Sequence, residues 1–548
     1  MTHQNSNGIS RRTLLRTGTV AAGTMAFAPS ILRADGHRVR KNMMHEGGKK
    51  DLDTYRKAVG IMLDLPLDDP RNWYRNAFVH FIDCPHGNWW FTSWHRGYLG
   101  YFEEIIREVT GEEDFMLPYW DWTKNNYVPP SMFGADNALD PVNYAPATGG
   151  YIKTLAEFKA TVREPMLEYW NALTPDQRAE QDKRKNFDFE IMWATKHEDN
   201  AVDSFQEQKH ARFLTAENPD LDANTQPLVA LDNVLGDLAP TEFSGDFKSK
   251  RSPYFENSVT GSHHDPGHFS GLSNTHNLVH NCTGGSFDKD DNYVAPYGIM
   301  TQNLSPLDPI FFLHHGNIDR LWDVWTRKQI ARGHSIQPGP KEIEAYKNEP
   351  YLFFVDRHGD PVTDRTTSWD FFSMESFDYT YEPASGEIIV PPESRMTMNT
   401  NVATAMVAKD AGLPRADFLA SAALVDTASR SNADSRHLAT VTFVPPADAR
   451  GKVFLLYISP QGEAPILGKD SPELAGRFSF FGHPHGAETG FTVSIDGALD
   501  RMIEAGILTE GAPLSFSLVM SGSTEEIAAN VDVNGQLQSV EVHVLSGN

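Results

Sequence analysis

CPHGNWWFTSWHRGYLGYFEE, residues 84–104, puts a histidine two places after a cysteine and another nine places further on. From Trp94 the apolar positions Tyr98, Phe102, Ile105 and Ile106 recur at helical spacing, which predicts a helix over residues 94–109 ended by Gly111. His95 then falls on its first turn and His86 in the loop ahead, with His80 six residues earlier. Cys84 is one of only two cysteines. The stretch therefore reads as a metal site, as the anchor of a disulfide to Cys282, or as ordinary core.

Working outward, the chain has 21 histidines, so a single one means little. His197, His210, His334 and His437 read as satisfied polar residues. Spacing singles out two more places. His276 and His280 are four apart, which on a helix stacks two imidazoles on one face; the residues between them lack the HExxH glutamate of a zinc protease. DPIFFLHHGNIDR, residues 308–320, lies in a second predicted helix over residues 307–327 that begins after its proline. His314 and His315 point about 100° apart there, so one of them faces a shared ion. His80, His86 and His95 make one group of three, and His276, His280 and one of the adjacent pair make another. Imidazoles without a nearby cluster of thiolates or carboxylates suit copper better than calcium or magnesium. Two helix-borne groups imply two ions facing each other inside a helix bundle.

At 548 residues the chain exceeds one ordinary core, and 40% hydrophobic with 22% charged residues is a globular composition. A formal charge of -25 argues against nucleic acid as partner, and no apolar run is long enough for a membrane span. Arg11-Arg12, the weakly apolar TGTVAAGTMAFAPSIL and then Arg33-Ala34-Asp35 predict a twin-arginine signal peptide over residues 1–34. Export to the periplasm or the exterior follows, a compartment that permits a disulfide. The tract QRAEQDKRKN, within the polar region 173–252, reads as a solvated helix face. PASGEIIVPPES predicts a linker over residues 383–394. Beyond it ATVTFVPP, VFLLYISP, RFSFFG, TGFTVSI, LSFSLVM and VEVHVL are short strands between turns, with one helix over residues 498–505. The expected fold is a mainly α domain over residues 37–382, a helix bundle holding a dinuclear centre, followed by an all-β sandwich-like domain over residues 395–548.

His86-x4-Phe91-Thr92-x-Trp94-His95-Arg96-x2-Leu99-x3-Glu103 resembles the first copper signature of the tyrosinase, catechol oxidase and mollusc-type haemocyanin group. Asp308-Pro309-x-Phe311-Phe312-x2-His315-x3-Asp319 resembles the second, and Pro118-Tyr119-Trp120-Asp121-Trp122 and Tyr379-x-Tyr381 resemble further parts of that domain. The resemblance implies two copper ions in a type 3 centre, with His80, His86 and His95 on one and His276, His280 and His315 on the other. It makes His314 a neighbour, pairs Arg96 with Asp319 between the two helices, and makes Glu103 a structural partner. It also implies a thioether between Cys84 and His86, with the Cys84–Cys282 disulfide as the alternative. AGRFSFFGHPHG and the segment after it resemble the C-terminal domain of long polyphenol oxidases, which covers the copper site; Phe478, Phe480 and Phe481 read as ordinary strand residues.

The implied activity is oxidation of o-diphenols to o-quinones by molecular oxygen, with ortho-hydroxylation of monophenols as a further step of a tyrosinase. The rivals are an o-aminophenol oxidase, a haemocyanin-like oxygen carrier and a structural dinuclear site. The sequence departs from the pattern in a short gap from His80 to His86 and in an insertion near residues 173–252. It also has no acid ahead of His276 nearer than Asp265, which leaves Asn277 and Asn281 as candidates for contact with substrate or water. Oligomeric state is left open.

Overall fold

The computed structural model describes residues 38–143, 155–195, 212–222, 225–245, 253–265, 267–287, 293–294, 299–301 and 303–387. In the C-terminal part it describes residues 396–397, 403–404, 406–408, 415–417, 436–445, 453–461, 463–468, 470–480, 488–509, 512, 514–520 and 537–547. The expected signal peptide, His197, His210, Phe481 and most of the expected linker lie outside the described residues.

The first part is helical: α1 (Glu46–Asp64), α2 (Trp73–Asp83), α3 (Phe91–Thr110), α4 (Leu155–Asn171), α5 (Pro175–Lys183), α6 (Phe189–Thr195), α7 (Leu231–Asp237), α8 (Gly271–Gly284), α9 (Ile310–Arg332) and α10 (Ile343–Asn348). The opening stretch does form a helix, α3, and Gly111 ends it with φ 73°. It starts three residues before the expected position, so His95 stands on the second turn, not the first. Phe91, Thr92 and Ser93 are weak helix formers, but all three are buried and Glu256 Oε1 accepts the Thr92 N–H at 2.9 Å, so packing overrides propensity. α9 likewise begins at Ile310, with its N–H on Asp308 Oδ1 at 3.1 Å, and runs five residues beyond expectation to Gly333 at φ 73°. Its polar last turn is buried: Gln329 Nε2 donates to Pro240 O at 3.2 Å.

QRAEQDKRKN contains α5, opened by a capping box of Thr174 and Gln177. The expected solvated face is only half right. Glu180 and Gln181 are buried, because this helix packs under α2, where Gln181 Nε2 donates to Ile82 O at 3.2 Å.

α3 and α9 pack with Phe102 and Phe312 stacked at 3.6 Å. A buried ion network ties the pair: Arg96 Nε donates to Asp319 Oδ1 at 2.7 Å, and Asp319 Oδ2 accepts from Arg40 at 3.1 Å, from Tyr381 at 2.5 Å and from Tyr379. Glu103 accepts from Arg40 Nε at 2.9 Å and from the Leu117 N–H at 2.7 Å. Arg40 belongs to β1 (Arg38–Arg40), which pairs in parallel with β4 (Tyr379–Tyr381). β2 (Ser286–Phe287) and β3 (Tyr293–Val294) form a small ribbon.

The second part is mostly strand: β5 (Met396–Thr397), β6 (Ala403–Thr404), β7 (Met406–Ala408), β8 (Arg415–Asp417), β9 (Arg436–Phe443), β10 (Val453–Pro460), β11 (Leu474–Ser479), β12 (Thr489–Ser494), β13 (Leu514–Met520) and β14 (Leu537–Gly547). All six expected strands are among them, and α11 (Asp496–Glu504) replaces the expected 498–505 helix with a shift of two residues at its start. One sheet has the order β11-β10-β13-β8-β7; the other runs β12-β9-β14-β5, with β6 also on β14. Val441 and Phe443 of one and Phe454, Leu456 and Phe516 of the other share a single buried cluster. This region sits on the helical part through α8, β11 and β12, and Arg38–Asn548 forms one compact unit. Among the described residues no helix is long and apolar enough to cross a membrane.

Candidate metal centre

Four helices and one loop bring the two histidine groups together. His80 stands on the last turn of α2, His86 in the loop after it, and His95 on α3; their ring centroids lie 5.4 to 5.8 Å apart. His276 and His280 share one face of α8, as their spacing requires, with centroids 4.4 Å apart. From α9, His315 reaches both, its Nε2 3.2 Å from each of their Nε2 atoms. The groups face each other, with His95 stacked on His315 at 4.3 Å and His86 6.0 Å from His276. Phe91 and Phe311 wall the space, 4.8 Å from His276 and 4.1 Å from His315.

The far side of each ring decides where its proton sits. His80, His95 and His280 donate from Nδ1 to the carbonyls of Asn303 (2.7 Å), Phe91 (2.8 Å) and Met300 (2.8 Å), and His276 Nδ1 lies 3.0 Å from Asn277 Oδ1. A carbonyl only accepts, so those Nδ1 atoms carry the proton and each Nε2 presents a lone pair inward. His95 Nε2 is buried without a hydrogen-bond partner. Burial holds the His95 imidazolium down at about 3, and burial followed by the neighbouring rings keeps His86, His276, His280 and His315 well below the usual value. They are neutral at neutral pH, the form a metal requires. Converging neutral imidazole nitrogens, with the Cys84 sulfur beside the first group and no carboxylate in either, fit copper.

His314 is close as well, 4.8 Å from His280 by centroid. Its Nδ1, however, accepts the Trp122 Nε1–H at 3.1 Å, so the neutral ring carries its proton on Nε2 and has no lone pair there to offer.

Cys84 Sγ lies 3.5 Å from His86 Nδ1. Neither cysteine is in a disulfide, and Cys282 Sγ meets Asp222 Oδ2 at 3.0 Å, so the Cys84–Cys282 alternative is not formed. His334 Nδ1 and His437 Nδ1 lie 2.9 Å from Gln329 Oε1 and 2.7 Å from Asp496 Oδ1, the polar partners expected of them. Asn277 and Asn281 are engaged by the C-terminal region: Asn277 Nδ2 donates to Ser479 O at 2.9 Å, and Asn281 Nδ2 to Ser479 Oγ at 2.6 Å.

Sequence reasoning missed the polar support around the site, because its members lie far apart along the chain. Asp237 accepts from Thr275 Oγ1 at 2.7 Å, next to His276, and burial raises its carboxyl to about 7. Burial raises Glu256, under the α3 N-terminus, to about 8. So buried acids bond to Thr275, beside His276, and to the Thr92 amide, one turn before His95, although none precedes His276 closely in sequence. Arg184 Nη2 donates to Cys84 O at 2.9 Å, and His263 bridges Asp83 (3.2 Å) and Glu349 (2.7 Å) behind the same loop. No short motif signals these contacts.

The family model for the common central domain of tyrosinase matches residues 56–328, a span that contains both histidine groups. The chain belongs to the tyrosinase family. Among its relatives, the chloroplastic polyphenol oxidase of Spinacia oleracea is 25% identical over 348 residues, 60% of this chain and 45% of the relative. Tyrosinase HcTyr1 of Hahella sp. (strain CCB-MM4) is 25% identical over 382 residues, 63% of this chain and 64% of the relative. The chain's match thus spans about half to two thirds of these two relatives. A solved latent aurone synthase, a polyphenol oxidase, shares the fold at a TM-score of 0.55 and 18% identity over 94% of this chain and 90% of its own. That likeness of fold extends past the tyrosinase domain into the strand-rich region.

Proposed function

We propose that the protein is a copper-dependent phenol oxidase that uses O2 to oxidise o-diphenols to o-quinones, two diphenols and one O2 giving two quinones and two waters. Convergence of two groups of neutral imidazoles across one aromatic-walled space carries this reading. His80, His86 and His95 hold one copper and His276, His280 and His315 the other; a bound copper pair supplies dioxygen binding and electron uptake. The protein's own share is positional. Backbone carbonyls fix the ring orientations of His80, His95 and His280, Arg96 and Asp319 lock α3 to α9, and Phe91 and Phe311 keep water from the reacting oxygen.

A thioether from Cys84 to His86 would fix the one ligand that is not on a helix. The copper-loaded chain is then lighter by two hydrogens, and a thiol reductant does not restore them. The two sheets act as a sandwich-like cap: with Asn277 and Asn281 held by β11, the second histidine group is covered and substrate entry waits on displacement of the cap. Arg11-Arg12 supports export by the twin-arginine route.

Oxygen uptake by copper-loaded protein with a catechol and with its matching monophenol, before and after limited proteolysis, tests the reading. Uptake with catechol, rising after cleavage, is expected; uptake with the monophenol as well makes it a tyrosinase. No uptake with either, even after cleavage, overturns it in favour of an oxygen carrier.

A further inference from the structure

Five of the six inward-facing imidazoles are borne on helices; His86 sits on a loop. What fixes that loop comes from a segment far along the chain. Gly87, beside His86, has φ 71°, and a Cβ there would meet the Phe269 ring at 3.0 Å. A Cβ on Gly267 would meet Gly87 O at 2.6 Å, so the 267–269 backbone lies directly against the loop. Trp89 N–H donates to Ser258 O at 3.2 Å and Asn88 Nδ2 to His263 O at 2.8 Å, further ties to the same stretch of chain.

The opposite side of Phe269 belongs to the C-terminal sheets. Its N–H donates to Gly490 O at 2.9 Å and its carbonyl accepts from Thr492 at 3.2 Å, so this residue is paired to β12 like a strand. Its ring stacks on Phe491 at 4.7 Å with 8° between planes, and Phe480 lies 6.2 Å away. Thr489 Oγ1 donates to Gly267 O at 2.9 Å. The start of α8, next in sequence, has further anchors: Ser270 N–H donates to Asn257 Oδ1 at 2.8 Å, Thr275 Oγ1 to Asp237 at 2.7 Å and Asn274 Nδ2 to Arg477 O at 2.9 Å.

We propose that Phe269 is a positioning residue for His86, through which the seating of the C-terminal β region sets the loop that carries this imidazole. One face is fixed by β12 and the ring tip fills the space that a side chain on residue 87 would take, so a shift of the sheets moves the loop. The consequence for metal rests on the copper reading above: the His80–His86–His95 group depends on the C-terminal region through Phe269, whereas the α8–α9 group meets that region through Asn274, Asn277 and Asn281, contacts that a change at Phe269 leaves in place.

The test uses the full chain with Phe269→Ala, Phe269→Leu and Phe491→Ala. In copper-free protein, amide exchange over residues 86–89 is expected to speed up in Phe269→Ala, less so in Phe269→Leu, while exchange in α9 stays unchanged. In copper-loaded protein, Phe269→Ala should release one of its two ions to a chelator about 10-fold faster, the size of effect typical for groups that support a ligand. Phe491→Ala, which leaves the edge on Gly87 in place, should move both readouts in the same direction. Equal release of both ions, or of neither, overturns the proposal, as does faster exchange spread through the whole fold. If wild-type protein takes up no copper, the copper reading and the selective-release claim fail together; the exchange result then decides on its own whether Phe269 sets the loop.

Discussion

His314 and His315 are adjacent and equally buried, yet only one presents a lone pair to the centre. The Trp122 indole makes the difference, because it donates to His314 Nδ1. His314→Asn keeps an acceptor near that position, and metal analysis should still find two coppers per chain; His315→Asn should lose at least one. Helix geometry alone left the choice open, since it showed two histidines about 100° apart and nothing of a tryptophan nearly 200 residues earlier; family resemblance pointed to His315 but gave no physical reason. His276 and His280, by contrast, were legible, since a four-residue spacing on a helix fixes a shared face by itself. A second test at this scale concerns Asp237, raised to about 7 by burial. Its folded value lies above the unfolded one, so the folded chain keeps a proton that the unfolded chain gives up. The stability it contributes is complete below about pH 4 and is lost as pH rises toward 7. In Asp237→Asn that loss, on the order of 3 kcal/mol between pH 4 and pH 7, should be missing from urea melts relative to wild type.

At the level of elements, α3 and α9 are held by aromatic stacking and by one carboxylate. Asp319 serves two guanidiniums and two phenols in a buried setting, and the arginines hold its carboxyl below the usual range. Asp319→Asn leaves buried cations under-compensated. The expected cost is about 3–5 kcal/mol, seen as a lower denaturant midpoint in metal-free protein. The hydrophobic period marked both helices, but their ends shifted for a physical reason that a single sequence does not display. Phe91–Ser93 enter the helix because they are buried and Glu256 accepts the buried Thr92 amide of the first turn, and α9 continues because Gln329 finds a partner in the Pro240 carbonyl. The Arg96–Asp319 pair was legible only through family resemblance; Arg40 was not legible at all.

For the whole molecule, the division into helices and then strands was readable from the change of period after residue 382. How tightly the two parts meet was not. Asn277 and Asn281 illustrate this: sequence offered them as candidates for contact with substrate or water and gave no sign that their amides donate to Ser479 of β11. Replacing both with alanine removes two hydrogen bonds worth about 1 kcal/mol each, so catechol-driven oxygen uptake by uncut protein should rise by up to about 30-fold, while that of proteolysed protein stays level.

The β1–β4 pairing has a temporal meaning. Arg40 is fully buried, and its partners Asp319 and Tyr381 lie hundreds of residues downstream. During synthesis an early segment must wait, with a bare guanidinium, for late ones to emerge. The α3–α9 scaffold can therefore lock only once β4 has emerged, so closure of the metal centre follows synthesis of the whole helical part rather than accompanying it.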